Sequence, residues 1–110
     1  MRAGKLRHHV TLQRAEFSQD PVTGEIIPSW LEVAKLWAAI EPLSGREFIA
    51  AAASQSEVAA RVVIRYRPGI TSAMRILHRG KVYNIQGVLA DVDSGLDYLT
   101  LPCSEGVGDG

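Results

Sequence analysis

The residues of this chain that could do chemistry are three histidines, one cysteine and a group of closely spaced aspartates. His8 and His9 are adjacent, so in a strand they would point to opposite faces and could not readily chelate one metal ion. His78 stands beside an Arg-Gly turn, where a surface role is expected. Cys103 has no histidine near it in sequence, and a nucleophilic role would need one in space. These residues favour surface or core positions over catalysis.

The spacing of Asp91, Asp93 and Asp97 resembles part of a calcium-binding loop. Such a loop needs a glutamate at its twelfth position and a flanking helix pair, and the sequence provides neither. A polar turn explains these aspartates better. The sequence also has no Walker loop, dinucleotide fingerprint, nucleophile elbow or zinc-protease helix. We therefore expect no enzyme activity, no cofactor and no metal.

The size and composition of the chain indicate one soluble domain. Its 110 residues fit a single core, and 46% hydrophobic with 22% charged residues is ordinary for a globular protein. Apolar stretches are too short for a membrane helix, and the N-terminus lacks the apolar core of a signal peptide. A lone cysteine cannot form an intrachain disulfide. We expect a protein that tolerates a reducing cytoplasm and does not engage a membrane.

The net charge is zero, but the charges are sorted into four blocks along the chain. Residues 1–14 carry +4, residues 15–57 carry −5, residues 58–90 carry +6 and residues 91–110 carry −5. Most of these charges should pair between strands of one subunit. Some could instead pair between subunits, because opposite patches on two sides of a protomer favour head-to-tail contact. The residues assigned to such a subunit interface are Arg61, Arg65, Arg67, Asp91, Asp93 and Asp97.

Alternating apolar residues and frequent turns predict about six short antiparallel strands. Turns are expected at residues 20–24, 79–80 and 91–95, and Pro28 limits its strand to an edge or a bulge. The apolar run from Val33 to Ile40 is expected to lie at the centre of the core. The predicted core is Val10, Leu12, Leu36, Ile40, Val62, Ile64, Ile85 and Leu99. A barrel is preferred, since closure removes the exposed edges of a small sheet.

One segment interrupts this β pattern between Pro42 and the strand that begins near Val58. Ser44 and Glu47 have the spacing of a capping box, which predicts the start of a helix. The alanines that follow favour a helix, but Phe48 and Ile49 are its only large anchors, so a marginal helix or a long loop is expected. The domain prediction is a barrel over residues 1–104 with a basic N-terminal arm, and a flexible acidic tail over residues 105–110.

Three segments in this order carry a family resemblance: Met1–His8 (MRAGKLRH), Trp37–Glu47 (WAAIEPLSGRE) and Ile64–Ile70 (IRYRPGI). Weaker agreement continues over residues 74–76 and 80–85. Together these segments resemble the head-tail joining proteins of tailed phages, also called head closure or stopper proteins. The alanine run at residues 50–53 and the acidic, glycine-rich end depart from the usual pattern of that family.

The resemblance implies a β-barrel protomer in a homo-oligomeric ring, a dodecamer, in the head-tail connector of a virion assembled in the bacterial cytoplasm. Such a ring would join the portal-adaptor proteins to the tail proteins and close the DNA channel after packaging, with transient contact to the DNA. The channel segment would then comprise Ser44, Arg46, Glu47, Phe48, Ser54, Gln55 and Ser56. Two alternatives stay open: a small barrel that binds single-stranded nucleic acid, and an enzyme subunit whose site lies on a partner.

Overall fold

The structure, a computed structural model, describes residues 6–90, 95 and 97–106. Within these residues the chain forms seven strands and one helix. In order they are β1 His8–Gln19, β2 Ile26–Pro42, α1 Gly45–Ala53, β3 Ala60–Arg65, β4 Met74–His78, β5 Lys81–Ile85, β6 Leu89–Ala90 and β7 Tyr98–Gly106. No helix in the described part of the chain is long and apolar enough to cross a membrane.

Six of the strands close into an antiparallel barrel. They pair in the order β3-β2-β1-β4-β5-β7, and β7 pairs back to β3 over Tyr98–Cys103. The short strand β6 also pairs with β7, further along the edge that β5 occupies. Closure gives the backbone groups of these strands partners on both sides. The predicted fold, a small antiparallel barrel of about six strands with one helix inserted, is confirmed.

The barrel core is apolar, with side chains contributed by all six barrel strands. Six of the eight predicted core residues are buried: Val10, Leu12, Val62, Ile64, Ile85 and Leu99. The other two, Leu36 and Ile40, are partly buried and pack against the same cluster. Alternation along each strand therefore identified the inward face correctly for most of the barrel.

The expected turn between β4 and β5 is present. Arg79 and Gly80 both have positive φ, at 51° and 78°, as a two-residue type I′ hairpin requires. The chain end differs from the expectation of a tail starting at residue 105. Glu105 and Gly106 belong to β7, where Glu105 pairs with Tyr83 and its carboxylate lies 2.8 Å from Nζ of Lys81. Residues 107–110 lie outside the described residues.

The hairpin of β1 and β2 is longer than the barrel that it joins. The neighbour on one side, β4, pairs with β1 only over Thr11–Arg14, and the neighbour on the other, β3, pairs with β2 only over Ala38–Pro42. Beyond these points β1 and β2 pair with each other as far as Gln19 and Ile26. Residues 15–31 therefore form a two-stranded extension of the barrel, here called the projecting hairpin.

The position of this hairpin overturns one expectation about the core. Of the apolar run Val33–Ile40, only Ala38 and Ala39 are buried, and Trp37 is 58% exposed. The reason is that β3 stops pairing with β2 at Ile64, opposite Ala38, so the earlier part of β2 pairs with β1 alone and no strand lies along its other edge. A run of apolar residues in sequence does not reveal where a neighbouring strand ends.

Candidate functional site

The segment between β2 and β3 forms the helix α1, and its N-terminus is capped as the sequence predicts. The backbone N–H of Glu47 donates to Oγ of Ser44 at 3.2 Å, and the backbone N–H of Ser44 donates to Oε1 of Glu47 at 3.1 Å. This reciprocal pair is a capping box, which satisfies two donors that the first turn would otherwise leave without partners. The helix therefore begins at a point fixed by its own sequence.

The C-terminus of α1 is also held by local hydrogen bonds. The backbone N–H groups of Ser56 and Gln55 donate to the carbonyls of Ala51 and Ala52, at 2.8 and 3.1 Å. Gln55 has φ of 59°, so the pattern is a Schellman motif with glutamine in the left-handed position that glycine usually takes. The Oγ of Ser54 donates to the carbonyl of Ala51 at 3.1 Å. Both ends of this short helix are thus closed by its own residues.

Packing on the barrel contributes little to α1. None of its residues is buried, and the two large apolar side chains, Phe48 and Ile49, are 64% and 70% exposed. The structure brings all seven residues of the predicted channel segment together at this helix and its caps: Ser44, Arg46, Glu47, Phe48, Ser54, Gln55 and Ser56. The helix therefore depends on its own caps more than on packing against the barrel.

One ion pair ties α1 to the barrel. The guanidinium of Arg61, on β3, contacts the carboxylate of Glu47, and its Nε lies 3.8 Å from Oε1 of Glu41 on β2. The pKa of Glu47 is lowered, first by the backbone N–H of Ser44, then by the Ser44 hydroxyl and by the positive charge of Arg61. Arg61 was predicted to contact a neighbouring subunit. Its guanidinium is engaged within the chain, and a further contact with a neighbour stays a prediction.

The other two predicted interface arginines lie where β3 ends. Arg65 is exposed, with its guanidinium 5.9 Å from the ring centroid of Tyr98, and Arg67 follows in the connection to β4. Asp97 lies beside them, because its carbonyl accepts a hydrogen bond from the backbone N–H of Tyr66 at 2.9 Å. The structure therefore brings one predicted acid close to the predicted bases within a single chain. Asp91 and Asp93 lie outside the described residues.

An open cleft of about 650 Å³ lies where β2 and β3 diverge. Its wall includes three apolar side chains, Leu36, Trp37 and Tyr66, and three basic ones, Lys35, Arg65 and Arg67. In a regular strand Tyr66 would lie on the opposite face from Arg65 and Arg67. The regular alternation ends with β3 at Arg65, so Tyr66 and Arg67 can line the same wall. We call this feature the β2–β3 cleft.

Sequence reasoning missed the second surface feature, the apolar face of the projecting hairpin. Residues directly opposite each other in an antiparallel pair share a face, and the pairs are Ala15 with Trp30, Phe17 with Pro28 and Gln19 with Ile26. Five of these six side chains are apolar, and Phe17 is 66% exposed. Trp30 also lies over the guanidinium of Arg75, 4.0 Å from its ring centroid. The apolar residues at alternate positions 15, 17, 26, 28 and 30 were the signal in the sequence for this face.

Among the described residues, the three histidines and Cys103 are in settings that do not favour catalysis. The rings of His8 and His78 meet edge to face at 5.1 Å, and His9 lies against Trp37. Burial raises the pKa of the Cys103 thiol to about 12, which disfavours the thiolate that a nucleophile requires. No group of three or more His, Cys, Asp or Glu among the described residues could hold a metal ion.

Comparison with known proteins identifies the family of this barrel. No curated protein matches the chain significantly. The solution structure of protein SF1141 from Shigella flexneri 2a is 33% identical, covers 96% of this chain and 97% of its own, and superposes with a TM-score of 0.74. A chain from the virion of a native gene transfer agent particle shares the fold at 19% identity, with coverage of 93% and 96% and a TM-score of 0.58.

The sequence model of one family matches nearly the whole chain. Residues 1–106 match the phage head completion protein family. This match confirms the resemblance to phage head-tail joining proteins that the segments near residues 1, 37 and 64 carry. The matched residues include the barrel, the projecting hairpin and α1. The chain belongs to the phage head completion protein family.

Proposed function

We propose that this protein forms a ring in the head-tail connector of a phage-like particle, joins the portal-adaptor proteins to the tail and closes the DNA channel after packaging. Family membership supports a structural role at this junction. The observation that carries the closing role is α1, an exposed helix with both ends capped and no buried side chain. A segment of this kind can change its position without disturbing the barrel.

In this proposal the barrel is the rigid part of each subunit and residues 44–57 are the moving part. Pro42 and Ala60 face each other in the β2–β3 pair, so the segment leaves and re-enters the barrel at neighbouring positions. The small side chains of Ala50–Ala53 suit a crowded channel, because several copies can converge on one axis. Ser54, Gln55 and Ser56 can remain hydrated when the channel is open.

Replacing residues 44–57 with a four-residue turn rich in Asn and Gly tests this division of roles and keeps the hydrogen bond from the backbone N–H of Ala59 to the carbonyl of Cys103. Because the strand ends already face each other, a short hairpin loop can join them. We expect the shortened protein to fold and to join heads to tails, but the particles should lose packaged DNA to nuclease digestion. The matched control is Leu89→Thr, which changes an exposed apolar residue on β6 and should leave DNA retention normal.

Two results would contradict the proposal. Nuclease-resistant DNA in particles that carry the shortened protein would show that this segment does not close the DNA channel. Normally joined particles from cells that lack the protein altogether would show that the protein is not needed to connect heads to tails. The alternative, single-stranded nucleic-acid binding, stays a prediction. The zero net charge argues against it, because nonspecific affinity depends on attraction to phosphates.

A further inference from the structure

The projecting hairpin has a large exposed apolar face, although a two-stranded ribbon has little stability of its own. Isolated two-stranded hairpins are marginal in water, and gain stability when a hydrophobic face packs on another element. In this chain the face formed by Ala15, Phe17, Ile26, Pro28 and Trp30 continues beyond the barrel, and Trp30 covers Arg75 only at its base. Phe17 and Ile26 are more than half exposed. Such a face is typical of a surface that another protein covers.

The tip of the hairpin is preorganised. The carboxylate of Asp20 accepts hydrogen bonds from the backbone N–H groups of Val22 and Thr23, and the backbone N–H of Asp20 donates to the carbonyl of Glu25 at 2.8 Å. Gly24 supplies the positive φ of 75° that completes the turn. A hairpin held in one shape loses less conformational entropy when it docks. The turn therefore holds the ends of β1 and β2 in one fixed arrangement and is not a flexible linker.

The charge of the hairpin selects its partner. Residues 15–31, the projecting hairpin, contain three acids and no base: Glu16, Asp20 and Glu25. The β2–β3 cleft has the opposite charge, since its lining includes Lys35, Arg65 and Arg67 together with the apolar Leu36, Trp37 and Tyr66. Both surfaces therefore combine large apolar side chains with charges of one sign, and the two signs are complementary. The matching surface for the hairpin is present on the chain itself.

We propose that the projecting hairpin of one subunit docks into the β2–β3 cleft of a second copy of this chain. The inference rests on the proposed ring and names the surfaces that build it. The two surfaces are different parts of the protomer, so the contact is head to tail, and contacts of this kind close into rings when the rotation between subunits allows. Each subunit then offers one hairpin and one cleft, and a closed ring leaves neither uncovered.

Cross-linking in assembled particles tests the pairing directly. The probe is a short bis-maleimide, applied to particles whose only copy of the protein carries Phe17→Cys and Tyr66→Cys. Cys103 can stay in place, because it is fully buried and its thiol pKa is raised to about 12. The double variant should give a ladder of covalent multimers, whereas each single variant should give monomers. Dimers from Phe17→Cys alone would mean a hairpin-to-hairpin contact and would overturn the proposal.

Charge reversal provides a second test that does not depend on cysteine placement. Changing Glu25 to Lys, or Arg65 to Glu, should each lower the ladder yield by about threefold, since one weak ion pair becomes repulsive. Both reversals together should restore the yield. The control pair, Lys81→Glu with Glu105→Lys, exchanges the charges of an exposed ion pair outside both surfaces and should leave the yield unchanged. Failure of the combined reversal to restore the ladder would overturn the charge-matched docking.

The outcomes separate this inference from the proposed function. Joined particles that contain the protein but give no ladder from the double variant would overturn the docking and leave the connector role intact. Joined particles that lack the protein would overturn the connector role, and the docking with it.

Cross-links from Phe17→Cys alone to a different particle protein would assign the hairpin to that protein. Protection of Tyr66→Cys by a single-stranded oligonucleotide, without a ladder, would assign the cleft to nucleic acid. Either result would overturn the docking.

Discussion

The helix α1 should open independently of the barrel, and Ser44→Ala measures how easily. This change removes the hydroxyl that accepts the backbone N–H of Glu47 and leaves the carboxylate of Glu47 to hold the N-terminus alone. Loss of an N-cap costs about 0.5 to 2 kcal/mol, with about 1 kcal/mol typical. Because no residue of α1 is buried, packing offers no compensation, and the full cost falls on the local opening equilibrium.

The assay is amide hydrogen exchange across Phe48–Ala53, read by mass spectrometry or NMR. A tenfold change in an equilibrium corresponds to about 1.4 kcal/mol, so opening should increase by about 2- to 30-fold, with about 5-fold as the central value. The melting midpoint of the barrel should stay nearly unchanged. Ser44→Asp is the matched control, because aspartate is also a good N-cap and should keep exchange near the wild-type rate.

Two results would refute this reasoning about α1. If Ser44→Ala leaves exchange across the helix unchanged, the helix is held by contacts that the capping box does not control. If Ser44→Ala lowers the melting midpoint of the whole protein as much as a core substitution does, the helix and the barrel unfold as one unit. Strong protection of α1 in the isolated wild-type protein would likewise count against a segment that moves during channel closure.

Three further predictions concern the core, the pH dependence of α1 and the cysteine. Ile64→Ala should cost about 2 to 5 kcal/mol of unfolding free energy in denaturant titration, because its side chain is fully buried, whereas Phe48→Ala should change it by less than about 0.5 kcal/mol; equal midpoints would contradict the core assignment. The lowered pKa of Glu47 means that its support of α1 is complete above the ordinary value of 4.5 and is lost as the pH falls through the lower, folded value. The protection of α1 amides, taken as the intrinsic exchange rate at each pH divided by the observed rate, should therefore fall on acidification before the barrel unfolds, and protection that rises instead would reverse the sign. Cys103, with its pKa raised to about 12, should react with a thiol reagent at neutral pH only after denaturation, and rapid labelling of the folded protein would show that the thiol is accessible.

Several features could be predicted from the sequence because neighbouring residues determine them. The Arg79-Gly80 turn needs positive φ at both positions, and the strands on either side alternate clearly. The start of α1 at Ser44 followed from the spacing of two side chains that bond to each other's backbone. Alternation also identified most of the barrel core, and the family resemblance depended on short segments that could be read in order.

The functional surfaces could not be predicted in the same way, because they depend on the residues at which pairing between distant strands stops. The apolar run before Ala38 looks like a core strand, yet it is exposed because β3 turns away from β2 at Ile64. The same divergence opens the β2–β3 cleft and brings Arg67, which follows β3, near Lys35 of β2. No local pattern specifies such a meeting, since it is the outcome of pairing between residues far apart in the chain.

The sequence by itself determined the strand alternation, the tight turns, the caps of α1 and the lack of a recognisable catalytic motif. Tertiary structure alone decided that the β1–β2 hairpin extends beyond the barrel and that Arg61 reaches the capped end of α1. It also decided that the same protomer has a basic cleft and an acidic hairpin with an apolar face. The physical reason is the range of the interactions. Turn and cap geometry depends on hydrogen bonds within a few residues, whereas burial depends on which distant strand covers a side chain.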